Sequence, residues 1–320
     1  MIFKTLGIGL LLAAVSGAQG TPLPPTHINV EIDYMRAPNG HTHEPSQAVL
    51  DALVQMFACQ GITLNLFVSD AVPHIDVVQN SIPDQDFFSF PGPDSFSQYK
   101  GIYGQTAGAL GWHYCLLAHD YDLLDGEGIG SSGYGEGSGN DFIVTLGGWD
   151  NGVGTDFEVA ATIAHELGHN LGLDHGSPTS ALAYDNEPYA PNYASIMSYQ
   201  YQLEGIASQM ECLGLVANDH RLKELDYSHG RMGSLAEASL NERIGVGINA
   251  VDWNCNGTPD VSLVNRNLDF RRSWCDSGSG IGVLRDYDDW ANIVDYTYSP
   301  AVKARGLSLT VWDRTRLRST

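Results

Sequence analysis

Basic side chains are scarce in this chain. Its 320 residues include 16 Lys and Arg against 38 Asp and Glu, which gives a formal net charge of −22 at pH 7. Such an acidic surface repels the phosphates of nucleic acids and of anionic lipids. We therefore predict that neither nucleic acid nor a membrane is a partner, and we expect a monomer.

Long apolar runs are equally few. The run from Leu6 to Val15 comes after Lys4 and is followed by small residues, a pattern typical of a secretory signal peptide, here over residues 1–20. The alternative, a membrane anchor, is disfavoured because the run is too short to cross a bilayer. No other stretch is long and apolar enough to span a membrane, so we predict a secreted, extracellular protein.

Cysteine is also sparse. Five cysteines in an exported chain predict two disulfides and one remaining thiol. The connectivity cannot be read from the sequence, although Cys255 with Cys275 is the preferred pair because both lie in the C-terminal segment. The five residues are Cys59, Cys115, Cys212, Cys255 and Cys275.

Two parts of the chain are distinguished by their sequence patterns. We predict a main domain at residues 21–235 and a C-terminal extension at 236–320, because the character of the sequence changes there. Residues 27–34 alternate apolar and polar, a helix follows Pro45, and residues 62–68 form another strand pattern. Strand, helix and strand in this order indicate a crossover unit with neighbouring parallel strands.

The run from His165 to His175 carries the strongest chemical pattern. It reads H-E-L-G-H-N-L-G-L-D-H, and it follows a T-x-x-E capping box at Thr155 that predicts a helix from about Asp156 to Leu171. Residues four apart share one face of a helix, so His165 and His169 can present two imidazoles to one metal ion.

A third histidine completes the predicted metal centre. Gly172 is suited to end the helix and turn the backbone, which brings His175 back toward His165 and His169. Three nitrogen ligands with one open position are typical of a catalytic zinc site, whereas structural zinc favours four ligands that include thiolates. The alternative is a buried helix whose histidines only satisfy hydrogen bonds.

The pattern H-E-x-x-H-x-x-G-x-x-H resembles that of the metzincin clan of zinc metallopeptidases. The segment Ser195–Tyr199 resembles the Met-turn of that clan. The resemblance implies zinc bound by His165, His169 and His175, Glu166 as general base, and Met197 as an apolar floor below the metal. It further implies an α+β fold of the α/β-type metzincin kind, with a twisted mixed sheet, an antiparallel edge strand, a central active-site helix and a small C-terminal appendage.

Tyr199 stands two residues after the methionine, as in the astacin and serralysin branches of the clan. In those branches this tyrosine binds the metal or stabilises the oxyanion, so the resemblance implies one of these roles. The alternative is a packed tyrosine with its hydroxyl on a backbone partner. The residues Pro191–Tyr193 and Leu225–Ser228 are similar to a group of secreted microbial metzincins that is distant from both branches.

The predicted substrate follows from one strand. In metzincins the strand in the position of Asp141 to Leu146 is the sheet edge beside the cleft, and it runs antiparallel to the bound substrate. Such an edge can pair with the main chain of an extended peptide. We therefore expect protein or peptide substrates in extended conformation. The Gly/Ser-rich segment 125–140, just before the strand, is predicted to be a flexible loop.

A calcium loop is a second candidate site. Oxygen-bearing side chains occupy positions one, three, five and nine of a loop, but Leu263 stands where the twelfth position of an EF-hand carries glutamate. The alternative is an ordinary Asx-rich turn. The four candidate ligands are Asp252, Asn254, Asn256 and Asp260.

Other histidines are predicted to have no role in metal binding. His41 and His43 lie in a stretch that reads as a solvated loop. His113 and His119 belong to a strand candidate and read as satisfied core or edge residues.

The predicted function is therefore that of a secreted zinc metalloendopeptidase in which Glu166 activates water. Two alternatives stay open. One is a zinc hydrolase of substrates other than peptides, and the other is an inactive binding protein on the same scaffold.

Overall fold

The computed structural model describes eight stretches of the chain. The predicted signal peptide lies outside them, as does most of the segment between His175 and the Met-turn. The described stretches are residues 25–80, 86–106, 109–124, 126–176, 188–207, 223–246, 250–268 and 281–298.

A five-stranded mixed sheet forms the centre of the fold, with strand order β2-β1-β4-β7-β6. Four neighbouring strands run parallel, and β6 runs antiparallel to β7. The predicted class, α+β with an antiparallel edge strand, is confirmed. The strands are β1 (His27–Arg36), β2 (Thr63–Pro73), β4 (Trp112–Ala118), β6 (Gly133–Gly135) and β7 (Asp141–Thr145).

The first three elements form the predicted crossover unit. Strand β1 pairs in parallel with β2, and helix α1 (Gln47–Ala58) connects them. The helix begins after Ser46, whose side chain accepts a hydrogen bond from the backbone N–H of Val49. Its start is therefore set by a side-chain cap, slightly after the predicted start at Pro45.

The edge strand is not the one that the sequence predicts. Strand β7 lies between β4 and β6, so it is interior and parallel to its neighbour β4. The edge is β6, which lies within the segment predicted to be a flexible loop. A strand of the sequence Gly133-Tyr134-Gly135 carries little intrinsic β-propensity, and its pairing with β7 determines its conformation.

The remaining elements are short. Helix α2 spans Phe96–Tyr103, and helix α3, described below, spans Asp156–Asn170. Six further strands of two residues each form three separate two-stranded sheets. These are β3 (Val78–Gln79) with β5 (Tyr121–Asp122), β8 (Ile206–Ala207) with β9 (Lys223–Glu224), and β10 (Leu235–Ala236) with β11 (Val283–Leu284).

Apolar residues pack on both faces of the sheet. Alternate residues of β4 point to opposite faces, so Cys115 and Leu117 belong to one core and Leu116 to the other. Helices α1 and α3 cover the first face. Residues from the predicted C-terminal extension, among them Trp253 and Trp290, are buried in that same core. The boundary between main domain and extension stays a prediction.

Two cysteines have free thiols in this fold, Cys59 and Cys115. Two disulfides would need four of the five cysteines, so the predicted number is wrong. Cys115 is fully buried in a central strand, where apolar packing surrounds it. The pairing of Cys255 with Cys275 stays a prediction, because Cys275 lies outside the described residues.

We examined the helices of the described stretches for length and apolar character. None of the helices there is both long enough and apolar enough to traverse a bilayer.

Candidate metal centre

Helix α3 presents the metal-binding pattern as predicted. It spans Asp156–Asn170, and Thr155 forms the full capping box with Glu158. Each of these two residues accepts a hydrogen bond from the backbone N–H of the other, which satisfies two of the free donors at the helix start. His165 and Glu166 are 2% and 3% exposed, so the first two residues of the pattern are buried, whereas His169 and His175 are half-buried.

Two histidines of the helix have their rings fixed by backbone carbonyls. Nδ1 of His165 lies 2.8 Å from the carbonyl oxygen of Ile196, and Nδ1 of His169 lies 3.0 Å from that of Leu173. A carbonyl only accepts hydrogen bonds, so each Nδ1 carries a proton, and in the neutral imidazole Nε2 then presents a lone pair. This is the tautomer in which histidine binds a metal through Nε2.

The chain reverses after the helix and adds the third imidazole. Gly172 has a φ of +87°, a conformation that favours glycine, and the N–H of Leu173 donates to the carbonyl of Gly168. Nε2 of His175 then lies 3.1 Å from Nε2 of His165 and 3.0 Å from Nε2 of His169. The predicted convergence of the three rings is present.

These three nitrogens fit a zinc ion. Zinc–nitrogen bonds of about 2.0–2.1 Å place tetrahedral ligands about 3.4 Å apart, close to the observed spacing. Nε2 of His175 faces Nε2 of both His165 and His169. A cation at the centre satisfies all three nitrogens together, and the residues form a group that could hold one.

Burial favours the neutral form of His165. Burial lowers the pKa of His165 to about 3, and the neighbouring His169 contributes in the same direction, against the carbonyl of Ile196. An uncharged imidazole at neutral pH is the form that binds a metal ion.

The edge strand β6 lies directly against Glu166. A methyl group placed on Gly133 would come within 2.7 Å of Oε1 of Glu166, and one on Gly135 within 2.7 Å of the carbonyl oxygen of Glu166. The methyl on Gly135 would also approach Cβ of His169 to 3.0 Å. The two glycines thus allow the sheet edge to approach the candidate general base and the metal ligands closely.

Met197 packs against helix α3, and its implied role as the floor of the metal site stays a prediction. Its side chain is fully buried, and Gly168 is the helix residue that faces it. A methyl group on Gly168 would overlap the sulfur of Met197 and would lie 3.2 Å from the hydroxyl oxygen of Tyr227. That hydroxyl donates to the carbonyl of Ala164, so it has little freedom to move away.

We expect Gly168→Ala to destabilise the protein by about 1–3 kcal/mol, the usual cost of overpacking a filled core. The better helix propensity of alanine is too small to offset this clash. Urea unfolding of the variant measures the effect. Gly101→Ala in helix α2 is the matched control, because no heavy atom lies within 4 Å of the added methyl there. Equal midpoints for both variants would contradict the tight contact with Met197.

Tyr199 lies beside the three imidazoles. Its ring centroid is 4.2 Å from that of His175 and 6.0 Å from that of His165, and its ring is nearly parallel to His165 with an interplanar angle of 18°. The ring therefore forms a wall of the site. Whether the hydroxyl binds the metal or stabilises the oxyanion stays a prediction.

A buried carboxyl, that of Asp289, lies behind the Met-turn. Asp289 accepts hydrogen bonds from the hydroxyls of Tyr193 and Ser195 and from the backbone N–H of Ser228. It thereby connects the C-terminal part of the chain to the turn that carries Met197. Burial raises the pKa of Asp289 to about 7, against the lowering effect of these hydrogen bonds.

The contribution of Asp289 to stability is expected to fall as the pH rises from about 4 to about 7. The folded protein keeps the proton on Asp289, whereas the unfolded chain releases it above a pKa of 3.8. Between these pH values the folded state binds more protons at this site, so raising the pH reduces the contribution of Asp289 by ~4 kcal/mol at most. Asp289→Asn removes this pH-dependent contribution. Urea unfolding of both proteins across the range should show the free energy of unfolding of wild type falling relative to that of the variant as the pH rises, and a constant difference would contradict the raised pKa.

The candidate calcium loop adopts the geometry of an Asx-rich turn. The carboxylate of Asp252 accepts hydrogen bonds from the backbone N–H groups of Asn256 and Gly257. The side-chain amides of Asn254 and Asn256 both donate to Asp260. The four residues are close together, but their oxygens are engaged with one another and with the backbone. Calcium binding stays a prediction.

A second histidine cluster was not predicted from the sequence. His41, His43, His74 and His119 together form another group that could hold a metal ion. His43 is only 7% exposed, so the interpretation of this histidine as solvated is wrong, although its neighbours Gly40 and Glu44 in the loop are exposed. Burial and the neighbouring rings of His41, His119 and His74 lower the pKa of His43 to about 3.

Histidines 113 and 119 of the same strand candidate differ in environment. His113 is fully buried, and its Nδ1 lies 3.0 Å from the side-chain oxygen of Asn170. Its Nε2 lies 3.5 Å from a carboxylate oxygen of Asp295 and makes no hydrogen bond to a described residue. His113 is therefore a core histidine, as predicted, but only one of its ring nitrogens is hydrogen-bonded there. His119 belongs to the second cluster, and the expectation that it binds no metal stays a prediction. The sequence signal that could have identified the cluster is the position of its members after successive parallel strands.

Comparisons with known proteins give distant structural likenesses. No family model and no curated protein matches the chain. A zinc-dependent peptidase from Methanocorpusculum labreanum has 14% identity and a TM-score of 0.29, covering 46% of this chain and 82% of its own. Archaemetzincin from Methanopyrus kandleri has 16% identity and a TM-score of 0.28, and the match covers 47% of this chain and 76% of the archaemetzincin chain.

Proposed function

We propose that this chain is a secreted zinc-dependent metalloendopeptidase. The observation that carries the proposal is the convergence of three Nε2 atoms, from His165, His169 and His175, next to a buried glutamate on the same helix. Two imidazoles with carbonyl-fixed rings and a third ring nitrogen at 3.0–3.1 Å from theirs match the donor set of a hydrolytic zinc centre.

Zinc held by these residues would supply Lewis acidity, which makes water nucleophilic near neutral pH. The chain supplies the proton transfers. Glu166 accepts the proton from the attacking water and later delivers it to the leaving amine. The hydroxyl of Tyr199 donates a hydrogen bond to the oxygen on which negative charge develops. Met197 and the carbonyls of Ile196 and Leu173 hold the ligands in position.

The position of β6 supports a peptide substrate. It is the end strand of the sheet as described, and its two glycines lie against Glu166 and His169. An end strand offers backbone N–H and C=O groups on its outer side, and an extended peptide can pair with them. We infer that the main chain of the substrate binds along β6, which brings a peptide carbonyl to the zinc ligands.

We expect Gly135→Ala to lower the kcat/KM for peptide cleavage by about 10- to 100-fold, since small displacements of catalytic groups are costly. The added methyl would push against the backbone of Glu166 and Cβ of His169. Steady-state kinetics with a fluorogenic peptide measures the change. The matched control is Gly148→Ala, which has open space around the new methyl. Wild-type kinetics in Gly135→Ala would contradict the close approach of β6 to the site.

Digestion of casein or gelatin, with and without a zinc chelator, tests the proposed activity. Chelator-sensitive cleavage that zinc restores is the expected result. Zinc binding with hydrolysis of a small ester but not of protein would favour a zinc hydrolase of other substrates. Stoichiometric zinc binding without any turnover would favour an inactive binding protein, and either outcome would overturn the endopeptidase proposal.

A further inference from the structure

Four histidines meet at one edge of the sheet, away from the motif helix in sequence. Strands β2, β1 and β4 are neighbours and run parallel, so their carboxyl ends lie at the same edge. His74 directly follows β2 and His119 directly follows β4. His41 and His43 lie in the loop that leaves β1. The topology of the sheet itself therefore assembles the cluster.

The four rings are close enough to share one ion. One ring nitrogen from each histidine lies within 4.8 Å of those of the others, and Nε2 of His41 is 3.2 Å from Nε2 of His43. The ring centroids of the cluster are separated by 4.8–5.6 Å. These separations resemble the 4.6–5.1 Å between the three rings of the candidate zinc centre.

Two buried nitrogens in this cluster require a partner. Nε2 of His74 and Nδ1 of His119 are shielded from solvent and have no hydrogen-bond partner among the described residues. Leaving such a group unsatisfied is costly. A metal ion at the centre of the cluster would satisfy ring nitrogens that no described residue pairs with.

The donor set selects the class of ion. The group consists of four imidazoles, and Asp76 approaches only Nδ1 of His74, at 4.0 Å, from a side chain that is 92% exposed. Calcium and magnesium prefer oxygen ligands, whereas imidazole suits zinc, copper and nickel. Four protein ligands leave no open position, which is the arrangement of a structural site.

We propose that His41, His43, His74 and His119 bind a second divalent transition-metal ion, most naturally zinc, as a structural site. The cluster lies against the turn that precedes helix α3. The carbonyl of His119 accepts a hydrogen bond from the N–H of Gly147, and a methyl on Gly152 would meet Cε1 of His41 at 3.3 Å. The ion therefore joins the ends of three strands to the segment that leads into the motif helix.

Zinc titration by calorimetry tests this site apart from the candidate catalytic centre. The starting protein is the full chain with H165Q and H169Q, which removes two ligands of that centre. We expect it to bind one zinc per chain, and we expect the further change H41Q/H119Q to abolish that binding. His27→Gln, at an exposed position outside both clusters, is the control and should leave one zinc bound. Absence of stoichiometric binding in folded H165Q/H169Q, or its persistence after H41Q/H119Q, would overturn the proposal.

A single substitution keeps the test decisive if the multiple variants fail to fold. H41Q changes only one half-buried ligand in an otherwise wild-type chain. After equilibration with zinc and desalting, elemental analysis should find one metal fewer per chain in H41Q than in wild type. An equal metal content would overturn the second site. This difference does not depend on whether the centre at His165, His169 and His175 binds zinc, so failure of the proposed peptidase function remains distinguishable.

Discussion

Replacing Glu166 by alanine is expected to lower the kcat/KM for peptide hydrolysis by at least about 10²–10⁴-fold, the usual contribution of a general acid–base group. Glu166 is the one carboxylate within the H-E-x-x-H pattern, and it is buried beside two candidate ligands. Without it, no neighbouring side chain of the helix can take the proton from water. The zinc content should stay at the wild-type level, because the carboxylate is not a predicted ligand. Kinetics and elemental analysis on the same preparation measure both quantities.

Glu166→Gln separates proton transfer from packing. The carboxylate of Glu166 lies close to Gly133 and Gly135, so alanine also removes a contact with the edge strand. Glutamine keeps the size and shape of the side chain but cannot accept the proton. We expect both variants to lose activity to a similar degree. Activity near wild type in Glu166→Gln would mean that the residue acts through packing and would remove it from the role of general base.

Loss of a metal ligand is the second large effect. We expect His169→Ala to weaken zinc binding at this centre by more than about 100-fold, since removal of a group that merely orients a ligand already costs about 10–100-fold. Peptide cleavage should fall to background. His169 is also less buried than His165, and its ring is held by a local carbonyl, that of Leu173, so the fold should tolerate its loss.

The readout for His169→Ala is zinc affinity, measured by competition with a chromophoric chelator, together with cleavage of a fluorogenic peptide. Circular dichroism establishes that the variant is folded. His27→Ala serves as the control, because His27 is exposed and belongs to neither histidine cluster. Undiminished affinity in His169→Ala, in a protein otherwise like wild type, would show that this imidazole is not a ligand.

Features determined over a few residues could be predicted from the sequence. The capping box at Thr155, the apolar stripe and the glycine at position 172 are all local, and together they define helix α3 and the reversal that follows. The spacing of His165 and His169 on one helix face is equally local. For this reason the three-histidine arrangement was predictable at the level of individual residues.

Features that depend on pairing between distant segments could not be predicted. The edge strand Gly133–Gly135 has no apolar alternation, and only its pairing with β7 makes it a strand. The cluster of His41, His43, His74 and His119 combines residues from three loops that the parallel sheet aligns. No local pattern of spacing encodes such a site, because its geometry depends on strand order.

The burial of Asp289 could not be predicted from the sequence either, because it depends on how distant segments pack. In the sequence it stands in a short acidic run with Asp286 and Asp288. In the fold it is 1% exposed and joins Ser195 and Ser228, which are far away in sequence. Its position among these distant residues distinguishes Asp289 from the other acidic residues of the run.

Anomalous diffraction at the zinc edge, from crystals of the protein grown with zinc, tests the central claim most directly. We expect a peak equidistant from the Nε2 atoms of His165, His169 and His175, at about 2.0–2.1 Å from each. A map with no peak among these three nitrogens, in crystals that contain zinc, would contradict the metallopeptidase assignment.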